Sequence, residues 1–176
     1  GEVTGVVPTP EWKAEKFDGD IWRLGDTYIT AIGQYGTQVT PINAARFIAA
    51  VANGGRLLKP SLILDADGDP TVRVVELPEK DWQIVREGMR QGVEYGTSAG
   101  LNVPYVKAAG KTGTAEIGAG KKYIHSWSVG FFPYEHPRYT WAVIMEKGPA
   151  TNTGGAAAVM RHVFDWMSIY APQYLQ

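Results

Sequence analysis

Ala109-Gly110-Lys111-Thr112-Gly113-Thr114-Ala115 is a run of small residues with one lysine set between glycines and hydroxyls. Apolar, strand-like segments flank it on both sides. Gly110 and Gly113 carry no side chain that could hold a ligand away from the backbone. Lys111 supplies a fixed positive charge, and Thr112 and Thr114 supply rotatable hydroxyls able to hydrogen-bond a carboxylate. The strip suits an anionic, peptide-like ligand.

Gly110-Lys111-Thr112 also resembles the end of a phosphate-binding P-loop, but that motif needs glycine where this chain has Tyr105. It needs a helix starting at the lysine as well, and Gly113, Gly118 and Gly120 follow too closely for one. A strand is the better reading. Outward from the strip, Tyr105 to Glu116 forms one strand. Ser126 to Phe132 forms a second, with Trp127, Val129 and Phe131 on one face and Ser126, Ser128 and Gly130 on the other. A turn over 133–138 leads to a third strand, Tyr139 to Glu146, alternating Tyr139, Trp141, Val143 and Met145. The pattern predicts an antiparallel meander with the Lys111 strand at or near an edge. A final helix, about Gly155 to Tyr170, is expected to present Val159, Val163, Met167 and Tyr170 to the back of that sheet.

Before the strip the pattern is helical. Thr40 reads as an N-cap with Pro41 at the first helical position, and Asn53-Gly54-Gly55 stops a helix that is small and apolar nearly all round. That helix is expected to be buried. Short strand-like pieces (Leu57-Leu58, Leu62-Ile63-Leu64, Val72 to Val75) surround an acidic turn, Asp65 to Asp69, which lacks the closing glutamate of a calcium loop. A second helix starts at Pro78, with Trp82, Val85, Met89 and Val93 as its core stripe, and 96–100 make a small-residue loop. Residues 1–30 read as loop, punctuated by glycine and proline, with Trp12 and Trp22 pinning the segment down. Helices, then a sheet, then a covering helix argue an α+β fold.

Bulk composition narrows the function. The chain has 176 residues, 44% hydrophobic and 20% charged, with a net charge of −1 and no cysteine. A single domain with a real core is expected; disorder, disulfides and thiolate metal sites are not. The one basic pair, Lys121-Lys122, reads as a solvated loop, which argues against nucleic acid. No run is long and apolar enough to span a membrane and no signal peptide is present. No histidine or carboxylate stands at metal-ligand spacing, so neither metal nor cofactor is expected. His125 could orient a substrate, though a histidine at a strand start is more often a structural hydrogen-bonder; Asp26 and Glu116 read as loop residues.

In order along the chain come Trp12-Lys13, Trp22, Gly25-Asp26-Thr27, Ile32-Gly33-Gln34, Val39-Thr40-Pro41 and Ala52-Asn53-Gly54-Gly55. Gly88-Met89, Gly96-Thr97, the 109–115 strip, His125-Ser126-Trp127 and Val129-Gly130-Phe131 follow. The set resembles the C-terminal part of the transpeptidase domain of class B penicillin-binding proteins, most of all the elongation-type enzymes that build the lateral cell wall. Lys111-Thr112-Gly113 stands where that family has its Lys-Thr-Gly triad.

The resemblance implies a β-lactamase/transpeptidase-like fold and acyl transfer: a serine attacks the D-Ala–D-Ala bond of a peptidoglycan stem peptide, and an amine from a neighbouring stem resolves the acyl-enzyme. It assigns Lys111, Thr112, Gly113 and Thr114 to the catalytic wall, and Lys111, Thr112, Thr114 and Ala115 to the donor's carboxylate and the oxyanion. It implies β-lactams as ligands, the cell-wall elongation machinery as partner, and a membrane-anchored parent working on the extracytoplasmic face of the bacterial cytoplasmic membrane. One departure is large. Ser61, Ser98, Ser126, Ser128 and Ser168 are the serines present, and none begins Ser-x-x-Lys or Ser-x-Asn. Residues 1–176 are therefore expected to be the C-terminal portion of a single domain whose N-terminal portion carries the nucleophile, and to be inactive alone. Rival readings are a serine β-lactamase, a penicillin sensor, or a non-catalytic cell-wall scaffold.

Overall fold

A computed structural model describes residues 3–63, 69–118, 122–151 and 154–176. The chain divides into two compact units, 1–43 and 44–176.

The first unit holds two short helices, α1 (Pro10–Lys16) and α2 (Leu24–Ala31), where sequence reading gives loop. α1 starts on the same signature as the longer helix that follows: the Thr9 hydroxyl accepts from the Trp12 amide at 3.1 Å and Pro10 opens the first turn. Trp12, Trp22 and Phe17 gather around Tyr35, with Trp12 and Tyr35 edge to face at 5.7 Å. Gly36 is obligatory beneath them, because a Cβ there would stand 2.1 Å from the Trp12 ring.

Lys13 is 3% exposed and donates to Asp26 at 2.7 Å and to the Ile21 carbonyl at 2.8 Å, with Asp20 at 3.0 Å. Asp26 also accepts the Arg23 amide at 2.7 Å, closing the first turn of α2. Asp26 is thus a helix residue in an ion-pair cluster, not the loop residue its neighbours suggest. The Lys13 ammonium draws the Asp26 carboxyl below its ordinary range, Arg23 and Lys13 do the same to Asp20, and Asp26 raises Lys13. The two carboxylates therefore stabilise this unit above their unfolded values near pH 4, and lose that contribution as the pH falls below. Lys13 stabilises it below about pH 10.4 and loses the contribution above. Amide-exchange protection of 10–31, measured in the whole chain, should be level between those limits and fall outside them. Lys13→Met should remove the alkaline fall.

α3 (Pro41–Ala52) is capped as its sequence predicts: the Asn43 amide donates to the Thr40 hydroxyl at 3.2 Å. Gly54 and Gly55 end it in the left-handed region, with the Gly55 amide reaching back to Ala50 at 2.7 Å. Ile48, Ala50, Val51 and Ala52 are buried, but Phe47 is 63% exposed, so only one side of the helix is core. β1 (Arg56–Leu58) and β2 (Thr71–Val74) pair antiparallel. Leu62 and Ile63, expected in a strand, sit exposed in a bend after Pro60. The rest of that strand and most of the acidic turn, Leu64 to Gly68, lie outside the described residues.

α4 (Glu79–Glu94) buries Trp82, Met89 and Val93. Val85, expected beside them, is exposed; Arg86 takes the inward place and donates to the Ala52 carbonyl at 3.2 Å and to Glu79. A 3₁₀ turn at Ala99–Leu101 leads to an antiparallel sheet in the order β3 (Ala109–Ile117), β4 (Tyr123–Phe132), β5 (Tyr139–Pro149). The strand predicted from Tyr105 thus begins four residues later, after a Val103–Val106 bridge. α5 (Gly155–Tyr170) covers one face.

Successive residues of β4 enter opposite cores. Phe131 joins Ile48, Val51, Trp82 and Met89, whereas Phe132 joins Trp141, Met160 and Phe164. The stripe of α5 that meets the sheet is Ala156, Met160 and Phe164, with Met167 packed beside it. Of the predicted stripe Met167 packs as expected, whereas Val159 and Val163, each 39% exposed, and Tyr170, 68% exposed, give way to residues one position along. The sheet explains the shift. Facing α5, β4 offers only Ser126, Ser128 and Gly130 before Phe132, and the bulk of Trp141 from β5 fills the space they leave. The Trp141 indole N–H donates to the buried Ser128 hydroxyl at 3.1 Å.

Candidate active site

Among the described residues β3 pairs only with β4, which leaves its other edge open to strand pairing. The Lys-Thr-Gly sequence occupies the third to fifth positions of this strand. Close packing fixes its start: Ala108 and Ala109 are fully buried, and Arg90 of α4 donates to the Ala108 carbonyl at 2.7 Å. Gly92 lets α4 approach, since a Cβ there would stand 2.9 Å from the Gly110 carbonyl. Gly110 and Gly130 pair across the strands beneath the Trp141 ring, which a Cβ on Gly110 would meet at 3.1 Å. The strip is therefore anchored by its first two residues and partly or fully exposed from the third onward.

Lys111 is exposed and its ammonium donates to the Thr112 carbonyl at 2.6 Å. Among the described residues no carboxylate lies within ion-pair distance of it; Lys107, four residues earlier, is by contrast engaged by Glu135 at 2.6 Å. Register separates the strip into two sets. Lys111, Gly113 and Ala115 pair with Val129, Trp127 and His125, while Thr112 and Thr114 pair with Ser128 and Ser126 on the other face. The structure thus brings the two threonines to one face, places Lys111 on the opposite one, and leaves all three beside the open edge. Such an arrangement can present a cation and hydroxyl donors to an extended anion.

His125 sits at an irregularity in the β4–β5 register, where its Nδ1 accepts the Lys147 amide at 3.3 Å. That is the structural hydrogen bond of the two roles weighed for it. Thr97, which sequence reading leaves without a role, meets the strip directly: the Thr112 and Thr97 hydroxyls share a hydrogen bond at 2.7 Å. The Gly96-Thr97 pair is visible in the sequence, but nothing in it says that this turn reaches β3. A surface hollow of about 530 Å³ runs along α4 between Lys80, Ile84 and Gln91 and includes no residue of the strip.

The strip's surroundings are tied by a second polar cluster. Tyr105 donates to Asp165 of α5, and Arg161 binds the same carboxylate at 2.9 Å and the Gly100 carbonyl at 3.1 Å. Burial, then Asp165, pushes the Tyr105 phenol up; Tyr105 and Arg161 draw Asp165 down.

The family model described as the penicillin binding protein transpeptidase domain matches residues 1–165. The chain belongs to this family. Within it the chain is of the class B, elongation type. It is 33% identical over 187 residues to the peptidoglycan D,D-transpeptidase MrdA of Acinetobacter baumannii, covering 94% of this chain and 27% of that protein. Among solved structures, it is similar to Pseudomonas aeruginosa PBP2 in complex with WCK 5153, with a TM-score of 0.76 and 31% identity over 98% of this chain and 40% of that one. It is also similar to Helicobacter pylori PBP2 in complex with MreC, with a TM-score of 0.74 and 29% identity over 97% of this chain and 32% of that one. The chain thus spans about a quarter of the curated relative's length. The mixed helices and antiparallel sheet are the β-lactamase/transpeptidase-like fold of these penicillin-binding proteins. Among the described residues no helix is long and apolar enough to cross a membrane.

Proposed function

We propose that this chain supplies the Lys-Thr-Gly wall of a D,D-transpeptidase active site that cross-links peptidoglycan stem peptides. The observation that carries this reading is the exposed Lys111 ammonium on an open strand edge, with no carboxylate in reach among the described residues and a threonine hydroxyl on either side of Gly113. In this reading Lys111 and Thr112 hold the donor's terminal carboxylate, and Thr114 adds a hydroxyl to it and an amide to the oxyanion. Gly113 and Ala115 keep the backbone accessible to the peptide and to β-lactams that mimic it. The nucleophilic serine and its lysine base stand on a part of the same protein outside this sequence, since no Ser-x-x-Lys occurs within it. The exposed apolar side of α3, where Phe47 is 63% exposed, is where that remaining part is best placed to pack. The protein works on the extracytoplasmic face of the cytoplasmic membrane, with an MreC-like member of the elongation machinery as partner.

Fluorescent penicillin tests the reading. The intact protein should form a covalent, serine-linked adduct, whereas the 176-residue chain should form none; an adduct on the chain alone, or none on the intact protein, defeats it. Slow release of that adduct separates a transpeptidase from a β-lactamase, in which hydrolysis is rapid.

A further inference from the structure

The hydrogen bond that fixes His125 uses one of its two ring nitrogens. A backbone amide can only donate, so the Nδ1 that meets the Lys147 amide at 3.3 Å is an acceptor and carries no proton. The ring proton therefore stands on Nε2, and among the described residues Nε2 has no partner. The fold holds the ring this way round. Lys147 takes a left-handed φ of 52° at the irregularity between β4 and β5, where it has no strand partner and offers its amide to the ring instead.

This N–H belongs to the Lys111 face of the sheet. Lys111, Gly113 and Ala115 pair in turn with Val129, Trp127 and His125, so the imidazole lies on the lysine's side, four residues along the strand or roughly 13 Å away. Trp127 lies between them, partly buried, with Gly113 close against it: a Cβ on Gly113 would stand 3.3 Å from the Trp127 Cβ. Ala115, level with His125, carries only a methyl group. The face thus runs from a cation, past an indole, to a polar N–H.

We propose that His125 is a specificity-determining residue: its Nε2–H reads the side chain that precedes the peptide's D-Ala pair, by a hydrogen bond to a carboxylate or carboxamide oxygen at that side chain's end. This rests on the proposed function above. There the terminal carboxylate lies at Lys111 and Thr112 and the scissile carbonyl at Thr114, so the peptide's earlier residues continue past Ala115, toward the level of His125. A peptide on the open edge of β3 lies two interstrand spacings from β4, roughly 10 Å. A short side chain cannot cross that distance. A long one can, passing over Ala115 with its methylenes beside Trp127. The N–H then selects the tip, because an oxygen accepts from it whereas an ammonium has only donors to offer.

The test is kcat/KM of the intact protein for D-Ala–D-Ala peptides whose preceding residue is α-aminoadipate, norleucine or lysine, which end in a carboxylate, a methyl and an ammonium. The wild type should favour the carboxylate over norleucine about three- to tenfold, the scale of one hydrogen bond, and lysine should fare no better than norleucine. Two substitutions separate this role from the structural one. His125→Asn keeps an acceptor for the Lys147 amide and loses Nε2, so the carboxylate-to-norleucine ratio should fall to about one. His125→Gln keeps an N–H near the Nε2 position and loses Nδ1, so the ratio should survive whatever the absolute rates do. A ratio unchanged in His125→Asn assigns the histidine to holding the strand irregularity and overturns the proposal, as does a wild type that takes benzylpenicillin yet treats the three peptides alike. A wild type that benzylpenicillin does not acylate overturns the proposed function and this role with it.

Discussion

Lys111→Ala should lower β-lactam acylation of the intact protein by about 10²–10³-fold, the range measured when one pre-positioned charge-stabilising donor is removed from an acyl-transfer site. It should do so with almost no change in melting temperature. Lys111 is exposed, its ammonium donates to the adjacent Thr112 carbonyl, and surface substitutions of this kind fall within about 0.5 kcal/mol of neutral. Lys107→Ala is the matched control: same residue type, same approach to β3, but engaged by Glu135. It should leave acylation unaltered. Acylation by Lys111→Ala within a few-fold of wild type would remove the lysine from the chemistry and with it the main support for the assignment of this strip.

The second large effect lies behind the site. Gly130→Ala should destabilise the protein by about 3 kcal/mol or more, at the upper end of the cost of overpacking a core. The added Cβ would stand 2.2 Å from the Trp141 ring and 2.3 Å from the Ala109 carbonyl oxygen. The ring can shift; the carbonyl belongs to the first residue of β3 and can move only with the strand. Trp141→Leu in the Gly130→Ala background should therefore recover only part of the loss, and acylation should fall along with stability. Gly88→Ala is the contrast. It lies within α4 with nothing within 4 Å of its Cβ position, and it should stabilise by about 0.5–1 kcal/mol. Denaturant midpoints measure all three.

The parts legible in the sequence were those where one local rule acts unopposed. The cap and stop of α3 follow from Thr40-Pro41 and Asn53-Gly54-Gly55, and the structure has both. Glycines around Lys111 argue strand over helix, and Lys111 is in a strand at a sheet edge. The misses arise where two local rules compete or where the deciding contact is distant. α5 is apolar along two rows, 156-160-164 and 159-163-170; periodicity finds both and cannot choose. The choice is made by Ser128 and Gly130 on a strand that precedes the helix by more than twenty residues. α1 escaped because seven residues are too few for a periodic pattern, although Thr9-Pro10 repeats the start signal of α3. Val85 reads as core by composition, yet the inward position belongs to Arg86, whose stem packs while its guanidinium meets the Ala52 carbonyl. Thr97 and Thr112 lie fifteen residues apart, and no spacing rule joins a helix-end turn to a strand edge.

Trp141 lies against both glycines at the root of the Lys111 strand, with its indole N–H held by Ser128 inside the core. That single ¹H–¹⁵N resonance is a spectroscopic gauge placed one layer below the site. Any ligand that flexes β3 must displace it, while a ligand bound elsewhere leaves it where it was.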